Sequence, residues 1–278
     1  MGKKSGFSYY ISLLLWLTFF FVIPTLIIVV FSFLKKAPYG GVIFWDFDLG
    51  AYASLFDKIF LKIVFRTIEI SIWVTVITLI LALPAAYFIS RSKLKNLWLL
   101  LVIIPFWTNF LVRIYSFIAI LGNNGIVNKT LQFLFHLDEP IQLLYNQNAV
   151  IIVTVYIFLP YAILPLYSSI EKFDFSLLDA ARDLGASKTT SMIKIFLPGI
   201  KSGLISAIIL TFIPAMGSYA VPDFLGGNDA IMLGNVIGKR LLDSRDWPIA
   251  SAVSTVLIVF TTIVVLCFMR TSKEEGDQ

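Results

Sequence analysis

Five side chains in this sequence have chemistry suited to an organic cation: Trp107, Asn109 and Tyr115 in one apolar stretch, and Tyr219 and Asp223 around the end of another. Aromatic faces attract ammonium groups through the ring quadrupole, and amide or carboxylate oxygens accept their N–H bonds. Trp107 and Tyr115 lie eight residues apart, which on one continuous helix puts them near the same face. The competing reading for each aromatic is packing or interface anchoring, since Trp and Tyr concentrate where a membrane meets water; Asp223 could equally be an ordinary loop carboxylate. Arg113 sits among them, and its charge would repel a cation. It reads as a structural partner to a carboxylate or to helix-end carbonyls, or as a gating element. Glu69 reads as snorkelling outward or pairing with Arg66, and His136, with no second ligand nearby, as a surface residue.

A second constellation has spacing that is mechanical. Ser176 followed by Asp179 fits a helix-start capping pattern, and Leu177, Ala181 and Leu184 then recur at helical spacing on one face. Gly185 supplies a stop. Ser187 can cap a second short helix through Met192, Ile193 and Ile195, and Pro198 suits the first turn of whatever follows. The spacing predicts two short amphipathic helices with a bend between them.

Chemistry of other kinds has little to work with. One histidine and one cysteine, Cys267, cannot build a metal site or a disulfide framework, and no cluster of paired carboxylates suggests an enzyme of the membrane. Gly234 to Arg240 is one residue too short for a phosphate-cradling loop and ends in Arg. The net charge of +5 is scattered over short loops, without the basic stripe that nucleic acid binding requires.

The elements that must position these residues are membrane helices. Hydrophobic residues make up 58% of the 278 and charged ones 14%, against about 45–50% and about 25% in soluble domains. Six stretches are long and apolar enough to span a bilayer: 11 to 34, 67 to 89, 97 to 121, 148 to 168, 202 to 221 and 248 to 269. Backbone groups in hydrocarbon must be satisfied within the segment, so each is expected to be helical, with proline and glycine kinks tolerated. Lys3 and Lys4 precede a run longer than a cleaved signal core, which reads as a retained anchor. Basic residues in the short connector Arg91, Lys93 and Lys95 favour both termini on the cytoplasmic side. One all-α polytopic membrane domain, 1–278, is expected, with the loop 169–201 facing the cytoplasm and a mobile tail from Ser272.

Asp179-Ala180-Ala181, then Gly185 after three intervening residues, then Ile195 and Leu197-Pro198, resemble the EAA loop of type I ABC importer permeases. That family's pattern starts with Glu, and Asp179 departs from it while keeping the charge. More narrowly, Pro105-Phe106-Trp107-Thr108-Asn109, Arg113-Ile114-Tyr115, Leu166 to Lys172, Pro214-Ala215-Met216-Gly217, Gly234-Asn235-Val236-Ile237 and Arg245-Asp246-Trp247-Pro248 resemble the PotB-type permeases of spermidine/putrescine importers. The resemblance implies a MetI-like fold in a bacterial inner membrane and no catalysis or cofactor in this chain. It implies a heterodimer with a PotC-type permease, a PotA-type ATPase dimer that binds ATP and Mg, and a PotD-type periplasmic binding protein that delivers a polyamine. The EAA loop would be the ATPase contact. A permease for thiamine, iron or an oxyanion is the nearest rival; an ion-coupled transporter is a more distant one, since neither inverted repeats nor intramembrane carboxylates for ion coupling are evident.

Overall fold

Apolar runs become helices here because nothing else satisfies the backbone away from water. The computed structural model describes residues 11–273, so Lys3, Lys4 and most of the tail from Ser272 lie outside the described residues. The first helix, α1 (Ile11–Phe31), leaves all of its apolar window unburied by this chain. A two-stranded antiparallel hairpin follows, β1 (Leu34–Lys36) and β2 (Val42–Phe47), then the short α2 (Gly50–Ser54). The next helices are α3 (Lys58–Arg91), long and apolar enough to span, and the shorter apolar α4 (Lys95–Trp107). After them come α5 (Phe110–Leu121), α6 (Ile126–Phe135) and the long α7 (Gln147–Glu171). The segment after α7 forms α8 (Ser176–Asp183) and α9 (Lys188–Gly199), and α10 (Lys201–Met216) continues from it. The chain ends with α11 (Ala220–Leu225), α12 (Leu233–Leu242) and α13 (Trp247–Lys273).

Five of these helical stretches are long and apolar enough to cross a membrane, or six if the bent pair α9 and α10 counts as one span. Two expected spans need correction. The stretch 97–121 is not one helix: α4 ends at Trp107, Thr108 is extended at ψ 143°, and Asn109 starts α5. Pro105 removes a ladder donor near the end of α4, and Asn109 Oδ1 accepts from the Leu111 N–H at 2.8 Å, which makes a new helix start cheap. The stretch that qualifies by length is Phe110–Phe135. The fifth span stops at Met216 instead of 221, and α10 leaves α9 at a 70° bend centred on Ile200. Pro84, Pro160, Pro165 and Pro214 sit inside helices as expected.

The backbone groups into two compact units. The first holds residues up to Val64 together with Leu233–Thr262. It is tied by an apolar cluster of Ala51, Leu55, Leu233, Ala252 and Val253, a stacked pair Phe31–Trp247 at 5.9 Å and an ion pair of Lys36 with Asp246 at 3.1 Å.

The second unit holds Phe65–Met232 and the end of α13. Its hub is α7, with 61% of its apolar window buried inside the chain. One cluster gathers Ile70, Val74, Ile114, Val150, Val153 and Leu225; another gathers Ala82, Ala86, Ile163, Leu166, Ile170 and Ala207. Small residues allow close approach: a Cβ added at Gly203 of α10 would overlap the Ser169 Cβ of α7. Lipid gives no hydrophobic drive between spans, so this tight fit carries the association.

Candidate coupling segment and cation pathway

The segment 172–200 is built by local capping. Its first helix is started by Asp174, whose Oδ1 accepts from the Ser176 N–H at 3.0 Å, and not by Ser176, which makes no cap. The Ser176 hydroxyl and N–H both donate to the ionised carboxyl and hold Asp174 below its ordinary range. Asp179 pairs along its own helix with Arg182 at 3.2 Å.

The stop is as read from sequence. Gly185 has φ +86°, its N–H donates to the Arg182 carbonyl, and the Ala186 N–H reaches back to the Ala181 carbonyl. Those two bonds form a Schellman ending, which needs a left-handed residue at this place. Space is not the constraint, because an added Cβ at Gly185 would touch nothing within 4 Å. Ser187 then caps α9, accepting from the Thr190 N–H at 3.1 Å.

Burial divides the predicted face. Leu178 and Ala181 turn inward at 3% and 9% exposure, whereas Leu177 and Leu184 turn outward at 50% and 90%. A helix this short cannot bury 177, 181 and 184 together when its inner contact is already filled by Leu178. On α9, Ile193 faces out, Ile195 and Leu197 pack inward, and Asp179, Ala180 and Gly185 remain exposed. Pro198 stands in the first turn of the short helical piece Leu197–Gly199, as expected, but that piece closes α9 ahead of the bend and does not start α10.

What anchors the segment is an aromatic socket that sequence reasoning missed. Phe196 is fully buried, edge-on to Phe173 at 5.3 Å and to Tyr87 of α3 at 5.6 Å, with Phe175 beside it at 6.3 Å. Arg91 caps the socket at 4.5 Å over the Phe175 ring. Gly199 lets the chain pass, since a Cβ there would overlap the Phe173 ring. A further tie joins Lys95 at the start of α4 to Glu171 at the end of α7, at 2.5 Å, and this pairing raises the Lys95 pKa. The alternation Phe173, Asp174, Phe175 was the available signal.

The five cation-suited residues all lie on the second unit and all are exposed. Tyr115 meets Phe224 edge-on at 5.5 Å, which brings α5 beside α11, the helix that carries Asp223 next to that ring. Tyr219 directly precedes α11, and its carbonyl accepts from the Asp223 N–H at 3.1 Å. Trp107 is 78% exposed at the end of α4. The break at Thr108 separates it from Tyr115, so the two do not share one helical face. Asn109 spends its side-chain oxygen on the α5 cap and keeps its NH2 for other partners. Glu69 is exposed and makes no ion pair with Arg66 among the described residues.

Arg113 lies one turn into α5. Its guanidinium sits over the rings of Phe106 at 5.4 Å and Phe110 at 5.9 Å, and its Nε is buried without a hydrogen-bond partner. Neither the carboxylate nor the helix-end carbonyl expected from sequence is found beside it among the described residues.

Comparison with known proteins completes the picture. Residues 78–272 match the family described as binding-protein-dependent transport system inner membrane component. The chain is 38% identical over 260 residues, 93% of its length and 90% of the relative's, to the spermidine/putrescine transport system permease protein PotB of Salmonella typhimurium. It is 40% identical over 262 residues to the Haemophilus influenzae protein of the same name, covering 93% and 91%. A solved bacterial alginate ABC transporter has a chain that superposes with a TM-score of 0.76 at 16% identity, covering 96% of this chain and 93% of that one, a likeness of fold alone. A bent, socketed segment between two spans, on a bundle of this fold and with relatives this similar, leads to one conclusion: the chain belongs to the family of binding-protein-dependent transport system inner membrane components, and is a multi-pass permease subunit of an ABC importer.

Proposed function

We propose that this chain forms one half of the membrane pathway by which an ATP-driven importer brings polyamines, spermidine or putrescine, into the cell. The observation that carries the ATP-driven part is the coupling segment. Its inner side is locked on Tyr87, Phe173, Phe175 and Phe196, and its outer side offers Leu177, Leu184 and Ile193 to a separate surface. A rigid lever with an unpaired apolar tip suits docking into a groove on a nucleotide-hydrolysing subunit. The full assembly in this reading has a PotC-type second permease, two PotA-type ATPase copies that bind ATP and Mg, and a PotD-type binding protein delivering substrate from outside. Both termini and the segment 172–200 face the cytoplasm.

The names of the relatives support the polyamine, and the residues fit it. Tyr115, Tyr219 and Trp107 offer ring faces, Asp223 offers a carboxylate, and none of the five pathway residues is a cation. Such a set holds an ammonium chain weakly enough to release it. Reconstitution tests the reading. Proteoliposomes holding both permeases and the ATPase, supplied with binding protein and labelled spermidine, accumulate label only with ATP inside. Uptake that persists without the ATPase, or that thiamine, iron or an oxyanion competes away while putrescine does not, refutes it.

A further inference from the structure

Arg113 presents an unbalanced account of charge. An ionised guanidinium within an apolar span is costly unless an anion or several acceptors meet it. Here Nε is enclosed and unbonded, the guanidinium lies over the faces of Phe106 and Phe110, and no carboxylate of the described residues pairs with it. Two ring faces soften the cost without neutralising the charge. Nor does a carbonyl at the end of α4 accept from it among the described residues; the Pro105 carbonyl accepts from the Thr108 hydroxyl at 2.6 Å.

The surroundings say what is missing. Arg113 opens on a cavity of about 170 Å³, walled by Leu101, Val102, Phe106, Tyr156, Leu159 and Ile163. That is on the order of five waters' share of liquid volume, too little for a folded partner segment and ample for the end of one side chain. Apart from Arg113 and the Tyr156 hydroxyl, that wall is apolar. The cavity therefore selects an anion with a narrow approach, and the planar fork of arginine is matched by a carboxylate.

We propose that Arg113 and this cavity receive the side chain of an aspartate or glutamate from a membrane helix of the second permease, so that the charge is balanced only in the assembled pair. This rests on the heterodimer of the proposed function and adds the contact that selects the partner. A lipid phosphate is the other anion at membrane depth, and the test separates the two.

The two permeases are co-expressed in full length, and the assembled fraction is measured in nanodiscs of neutral and of anionic lipid. Arg113→Met removes the charge at similar length, and Arg113→Lys keeps it. Arg113→Met is expected to lower the assembled fraction about tenfold or more in both lipids, with Arg113→Lys intermediate. Thermal unfolding of the single permease is expected to be unchanged or raised by Arg113→Met, since there the charge is uncompensated. Arg113→Glu is expected to be rescued by an acidic-to-arginine change at one intramembrane position of the partner. Truncation after residue 273, which removes the acidic tail, leaves the Arg113→Met effect in place. Equal assembly of Arg113→Met and wild type, a defect in anionic lipid alone, or rescue at no partner position overturns the proposal. Failure of the wild-type pair to associate at all would instead refute the heterodimer itself.

Discussion

Single residues set the geometry of the coupling segment, and Gly185 is the clearest case. Its φ of +86° is required by the Schellman ending and not by crowding, so the penalty for a side chain there is backbone strain of roughly 1–2 kcal/mol. Gly185→Val is expected to lower transport per ATP hydrolysed, with Gly185→Asn milder because Asn tolerates the left-handed region; equal coupling ratios in all three would argue that the bend is dispensable. Asp174 gives a pH prediction. Ser176 stabilises its ionised form and depresses its pKa, so the cap is fully present above the ordinary aspartate value of about 4 and is lost as pH falls through the lower folded value. Hydrogen exchange across α8 should be flat from about pH 5 upward after correction for intrinsic rates, and Asp174→Ala should raise it at every pH. At the pathway, Trp107→Ala is expected to reduce uptake more than assembly or basal ATPase activity, as its 78% exposure implies; an equal fall in assembly marks it as packing.

At the scale of elements, what could be read from sequence was whatever depends on neighbours in the chain. The Gly185 stop and the Ser187 cap are four- to six-residue devices, and both are present. The break at Thr108 went unread because hydropathy is continuous from 97 to 121 while the interruption is conformational. The hairpin was missed because its strands are short and β2 is mostly exposed along its length, giving no alternation to detect. The aromatic socket unites residues 87, 173, 175 and 196, a contact of distant segments of which the local sequence shows only the alternation Phe173, Asp174, Phe175. The close contact of α7 with α10 yields its own prediction. Gly203→Ala places a methyl on Ser169 and is expected to cost about 1–3 kcal/mol, read as a lowered unfolding temperature. Ser169→Gly in the same chain should recover part of that loss, because it removes the closer conflict while the Pro165 carbonyl oxygen, 2.9 Å from the added Cβ, stays in place.

The whole molecule carries an exposed cation-suited surface and, between two spans, a bent segment with an exposed apolar tip. The family, the fold and the permease role follow from the match over residues 78–272 and the similar relatives. In the proposed assembly the energy source is a separate ATPase, and the tip of the segment 172–200 is where it would engage. Leu184, 90% exposed beside the Gly185 turn, reports on that point directly. In a Cys267→Ser background, Leu184→Cys is treated with a short bifunctional thiol reagent in the assembled complex, with a parallel impermeant thiol label applied from either side of the membrane. The account predicts a cross-link to the ATPase that changes yield between nucleotide-free and ATP-bound states, and labelling from the cytoplasmic side alone. Labelling from the outside, or no cross-link to the ATPase in any nucleotide state, would contradict it.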